Sequence, residues 1–105
     1  MAEYILKILK TQLMVIFSWG FNTPIAIANG LRFNVQGFKF KGIVEIEYNE
    51  GTDLFDIRLI KNGKQVELVE GVYVDCLVNL IDNKVERVNN YNERVYNEYK
   101  TTNQP

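Results

Sequence analysis

The chain has no histidine and a single cysteine, Cys76, in its 105 residues. Lack of histidine removes both the commonest general base near neutral pH and the commonest metal-ligating side chain. One cysteine excludes an internal disulfide. With no histidine to activate it, Cys76 reads as a packed thiol inside a C-terminal helix rather than a nucleophile. Charge of one sign is also missing. Twelve basic and thirteen acidic residues leave a formal net charge of −1, too little for a general polyanion binder or an acidic mimic. No Gly-x-Gly-x-x-Gly, Walker-type loop or paired-cysteine metal motif occurs, so catalysis has little support and no cofactor or metal is expected.

Long apolar runs are scarce too. Lys7 and Lys10 precede an uncharged stretch from Thr11 to Leu31, and Ala26-Ile27-Ala28 has the small residues of a leader cleavage site. Ser18, Gly20 and Asn22 interrupt that stretch early. Asn22, Pro24 and Asn29 break a run that would need about 20 apolar residues to span a membrane. The segment therefore reads as part of the folded domain, with no membrane partner.

What the chain does have is alternation. From Phe38 to Tyr48 the apolar residues Phe38, Phe40, Val44, Ile46 and Tyr48 fall on even positions, with Lys39, Lys41, Glu45 and Glu47 between them. That period of two marks a half-buried strand. After Asn49-Glu50-Gly51-Thr52-Asp53 the apolar set moves to Phe55, Ile57 and Leu59. Both sets share a face if Tyr48 pairs with Phe55, Ile46 with Ile57 and Val44 with Leu59, which leaves a short Glu50–Asp53 loop. Lys61-Asn62-Gly63-Lys64 matches a type I′ hairpin and would set Leu59 opposite Val66 and Ile57 opposite Leu68. Upstream, a two-residue Gln36-Gly37 turn would bring Val35 to Phe38 and Phe33 to Phe40.

These hairpins give strands at about 31–35, 38–48, 54–61 and 64–69, apolar on one side. Helices supply the cover. Residues 2–17 form one amphipathic helix, with Ile5, Leu6, Leu9, Leu13, Ile16 and Phe17 on one face. A second helix spans about 72–88, with Tyr73, Leu77, Leu80, Ile81 and Val88 near helical spacing. Ile25 to Ala28 carries no decisive pattern. The polar tail 89–105 has Tyr91, Val95 and Tyr99 four apart, which allows a further amphipathic helix. The expected architecture is one α+β domain over 1–105, a four-stranded antiparallel meander with an N-terminal and a C-terminal helix on one face.

Candidate chemistry is thin. Glu45, Glu47, Asp56 and Glu67 would cluster on the polar sheet face, with Arg58 between Glu45 and Glu67, and a solvated ion-paired face explains them most simply. Arg32, Lys39 and Lys41 share the polar side of one hairpin and form a candidate nucleic-acid edge. The sheet aromatics Phe33, Phe38, Phe40 and Phe55 are expected under the helices, so exposed stacking platforms are lacking there. Trp19 and Phe21 flank Gly20 in an irregular segment, and Tyr91, Tyr96 and Tyr99 crowd the tail. Core packing accounts for Trp19 most simply. Tyrosine and tryptophan are also enriched where proteins meet, which makes these five aromatics the candidate interaction residues.

The segments SWGFN, GFKFKG, EGTDLFDIRL and GVYVDCLVNLID resemble stretches of small uncharacterised bacterial proteins carried by phages and mobile elements. The resemblance covers about Gln12 to Glu86 and brings no chemical role with it. It implies a cytoplasmic accessory protein. The expected function is non-catalytic protein–protein interaction, with a protein partner or a second copy of the chain, and nucleic-acid binding is the alternative.

Overall fold

Alternating strands need a cover for their apolar side, and in the computed structural model, which describes residues 1–86, three helices provide it. Five strands follow in chain order: β1 (Asn22–Ile27), β2 (Gly30–Gln36), β3 (Lys41–Asn49), β4 (Leu54–Lys61) and β5 (Lys64–Val72). Each pairs antiparallel with the next, giving one sheet of order β1-β2-β3-β4-β5. The helices are α1 (Ala2–Lys10), α2 (Leu13–Ser18) and, after a 3₁₀ turn at Val74–Cys76, α3 (Leu77–Val85). The fold is thus α+β with helices at both ends of an antiparallel sheet, and the sheet has five strands rather than four.

The central hairpin follows the alternation. Val44 pairs with Leu59, Ile46 with Ile57 and Tyr48 with Phe55, around the loop 50–53. Val44, Ile46, Phe55, Ile57 and Leu59 are buried with Leu31, Phe33 and Val35 against Ile5, Leu9, Ile16, Trp19, Leu77, Ile81 and Val85. Each such side chain contributes about 1.5–3 kcal/mol relative to an exposed one. The β4–β5 turn has Asn62 at φ 54° and Gly63 at φ 77°, with Lys61 opposite Lys64, as a type I′ turn requires.

Elsewhere tertiary packing changes the local reading. β1 is the additional strand, an exposed edge whose pairing jumps between Asn22 and Ile25 around Pro24 and Thr23, the latter at φ 55°. Proline fits there because an edge strand has a side that needs no ladder donor. The β2–β3 turn is not two residues long. Gln36 pairs with Lys41 and Phe33 with Val44, so residues 37–40 form the loop and Phe38 is 66% exposed rather than under the helices. The cause is the end of α3. The backbone N–H groups of Lys39 and Phe40 donate to the Val85 carbonyl at 2.8 and 3.1 Å, and the Lys39 ammonium donates to the Asn83 carbonyl at 2.9 Å. The loop satisfies carbonyls that a helix end leaves open. A β-carbon on Gly37 would stand 2.3 Å from that same Val85 oxygen, so only glycine fits.

β5 carries two bulges. One falls between the Ile60–Gln65 and Leu59–Glu67 pairs, the other between Ile57–Val69 and Phe55–Val72. An extra residue inverts the faces that follow it. Leu59 therefore meets Glu67 instead of Val66, and Ile57 meets Val69 instead of Leu68, which leaves Val66 and Leu68 exposed. The strand also runs on to Val72, so the second helix starts at Leu77 and not at 72. Tyr73 and Cys76 are consequently exposed, Cys76 as the residue capping α3 rather than a packed thiol within it.

Candidate functional site

The expected N-terminal helix is broken, and the short helix after the break exposes three large apolar side chains. Gln12 has φ −128° and ψ 60°, and Thr11 and Gln12 close on Ile8 and Leu9 through 3.1 Å hydrogen bonds. The Thr11 hydroxyl also donates to the Ile8 carbonyl at 2.6 Å, a side-chain bond that competes with helix continuation. Helix α2 then starts afresh at Leu13. Ile16 stays buried, but Leu13, Met14 and Phe17, the last four residues from Leu13 and three from Met14, are 46%, 81% and 66% exposed. Residues at that spacing lie on one face. The apolar stripe in the sequence puts Leu13 and Phe17 on the core face, and the structure exposes them instead.

Trp19 ends α2 and fixes it to the domain. Gly20 N–H donates to the Phe17 carbonyl at 3.0 Å and Phe21 N–H to that of Ile16 at 3.4 Å, with Gly20 at φ 66°. This is the bonding of a Schellman motif. The Trp19 ring is fully buried and stacks on Phe33 at 6.4 Å, and its Nε1 donates to Asp82 Oδ1 of α3 at 2.9 Å. Its carbonyl accepts from Gln36 N–H of β2 at 2.6 Å. Phe21 is half-buried, its ring 4.7 Å from that of Phe33. Trp19 therefore offers no surface to a partner, and Phe21 offers part of one ring.

The proposed basic edge is largely engaged within the chain. Arg32 Nε donates to Glu45 Oε2 at 2.8 Å, and Lys39 holds the end of α3. Lys41 is exposed on β3. On the uncovered face Arg58 reaches Glu47 at 2.6 Å and Glu45 at 3.7 Å, so charge alternates from Arg32 through Glu45 and Arg58 to Glu47. Asp56 accepts from Gly71 N–H at 3.2 Å. Glu67 is not beside Arg58: the β5 bulge turns it to Lys84 of α3, at 2.5 Å. No group of three or more acidic or cysteine side chains suited to a metal ion occurs among the described residues. Tyr91, Tyr96 and Tyr99 lie outside the described residues.

A second surface was not visible in the sequence. A groove of about 630 Å³ opens beside the β3–β4 turn, lined by Met1 at the start of the chain, Tyr4 of α1, Tyr48, Asp53 and Phe55 of the hairpin, and Tyr73 beyond β5, among others. The Tyr48 hydroxyl donates to Asp53 Oδ1, and that bond raises the phenol above its ordinary value. Three segments distant in sequence supply the rings, and only the alternation that aims Tyr48 and Phe55 to one side was legible beforehand. Among the described residues no helix is long and apolar enough to cross a membrane. Comparison with protein-family models, curated proteins and solved structures finds no match to this chain.

Proposed function

We propose that this protein is non-catalytic and acts by protein–protein interaction, through self-association on the exposed face of α2. The observation that carries the reading is the cluster of Leu13, Met14 and Phe17, three large apolar side chains exposed on a six-residue helix. Water-exposed apolar clusters of this kind mark interaction surfaces more often than isolated apolar residues do. A second copy is the favoured occupant for two reasons. A net charge of −1 opposes self-contact very little, and a face without charged residues is complementary to itself across a two-fold axis. The β1 edge is a poorer route, because Pro24 and the irregular backbone at Thr23 blunt strand addition.

The nucleic-acid alternative rests on Arg32, Lys39 and Lys41, and the engagement of the first two within the chain weakens it. A cytoplasmic accessory role follows from the resemblance to proteins of phages and mobile elements. The test is a Met14→Asp/Phe17→Asp variant followed by sedimentation. The wild type should show a concentration-dependent dimer that the variant loses at unchanged thermal stability. A fall in stability with no change in sedimentation would place the face against this chain's own remaining residues and overturn the reading.

A further inference from the structure

The groove beside the β3–β4 turn has a composition that selects its ligand. Tyr4, Tyr48, Tyr73 and Phe55 line it together with Met1, and among the described lining residues Asp53 is the one charged side chain and none is basic. Its volume, about 630 Å³, falls within the range of small-molecule sites. The carboxylate is held in place. Asn49 Oδ1 accepts from the N–H groups of Gly51 and Thr52 at 2.9 and 3.3 Å, and Asp53 N–H donates to the Asn49 carbonyl at 2.8 Å. The Tyr48 hydroxyl occupies Asp53 Oδ1, which ties down the phenol edge. The same ring meets Phe55 at 5.4 Å and an angle of 57°. Tyr4 and Tyr73 are half or more exposed although they sit on or next to regular elements.

We infer that this groove binds a small organic cation carrying an alkylated ammonium group. Aromatic faces attract a cation through their quadrupoles, and an alkylated ammonium gives up its hydration more readily than a metal ion does. Asp53 supplies the neutralising charge. The alternatives fit less well. An anion would meet a carboxylate and phenol oxygens with the α-ammonium of Met1 as its one countercharge, a neutral apolar ligand would cover Asp53 without pairing it, and a metal ion would find one carboxylate where it needs several. The inference is independent of the α2 face, to which the groove residues do not belong.

The experiment is an NMR titration of the isotope-labelled protein with choline, and in parallel with choline's neutral isostere, in which carbon replaces the quaternary nitrogen. Choline should shift the amides of Thr52, Asp53 and Tyr73 saturably, and should bind about tenfold more tightly than the isostere. Asp53→Asn should weaken choline binding by a similar factor. Asparagine tolerates the φ of 60° at this position, so thermal stability serves as the control for folding. Tyr73→Ala, at an exposed residue, should weaken binding several-fold without loss of stability. Equal binding of choline and isostere, absence of saturable shifts, or indifference to Asp53→Asn would overturn the inference. A peptide bearing one trimethylated lysine forms a further arm. Tenfold tighter binding of the peptide than of choline would overturn the assignment to a free small ligand.

Discussion

Replacing Trp19 probes the junction on which the helical layer depends. The indole is fully buried, so Trp19→Ala combines lost transfer free energy with an unfilled cavity, about 3–5 kcal/mol. It also removes the 2.9 Å hydrogen bond to the Asp82 carboxylate, a type of bond that contributes about 1.5–3 kcal/mol. The full truncation should therefore fall near the top of the first range. That is a large share of the 5–15 kcal/mol typical of a domain this size. Trp19→Phe keeps a ring beside Phe33 while deleting the donor, and should cost about 2 kcal/mol. Phe21→Ala should cost clearly less than Trp19→Ala, about 1.5–2.5 kcal/mol, because that ring is half-buried and touches the core at one side. Urea unfolding followed by circular dichroism suits all three variants, since two of them remove the only tryptophan. A double-mutant cycle of Trp19→Phe with Asp82→Asn isolates the hydrogen bond. Equal costs for Trp19→Ala and Phe21→Ala, with no coupling in the cycle, would refute the account of this junction.

Three further outcomes test the sheet. Gly63→Val should destabilise by about 1–2 kcal/mol through backbone conformation alone, because its φ is 77° and no atom lies within 4 Å of the added β-carbon; an unchanged urea midpoint would contradict the turn. Arg58→Ala should cost about 1 kcal/mol, and less at high salt, because Arg32 still neutralises Glu45. A cost above about 3 kcal/mol would mean that Glu45 had become an unpaired buried charge. The Tyr48 phenol, raised chiefly by its hydrogen bond to Asp53, holds its proton more tightly folded than unfolded. Its contribution to stability is complete below the ordinary phenol value of 10.0 and is lost as pH rises through the higher folded value. In an NMR titration of the tyrosine ring carbons, Tyr48 should ionise later than in Asp53→Asn.

Features set by neighbouring residues were legible in the sequence, and features set by distant ones were not. The β3–β4 register followed from alternation and the Asn62-Gly63 turn from its two residues, because both depend on local backbone geometry. The β2–β3 loop is not legible because its length answers to the end of α3, about 45 residues downstream, whose Val85 carbonyl it caps. Glu67 and Val66 exchanged faces because one bulge residue reverses a period-two pattern without altering its appearance. β1 was missed because Pro24 and the alanines break alternation, and an edge strand needs little of it. The broken helix had the opposite cause. The apolar periodicity continues through Thr11-Gln12, so the backbone break at Gln12 leaves no trace in the spacing. Of the groove only the Tyr48–Phe55 pair is legible, since Tyr4 and Tyr73 reach it from distant segments once the sheet has formed.

The claim that α2 carries the interaction surface is tested most directly at Met14. The chain has two methionines, Met14 on the exposed face of α2 and Met1 at the groove, so methyl labelling of methionine gives one reporter for each surface. Their spectra should be recorded as the protein is diluted from millimolar to micromolar concentration. Self-association through α2 predicts that the Met14 methyl signal shifts with concentration along a saturable curve while that of Met1 stays in place. A Met14 signal that is constant over the whole range would contradict it.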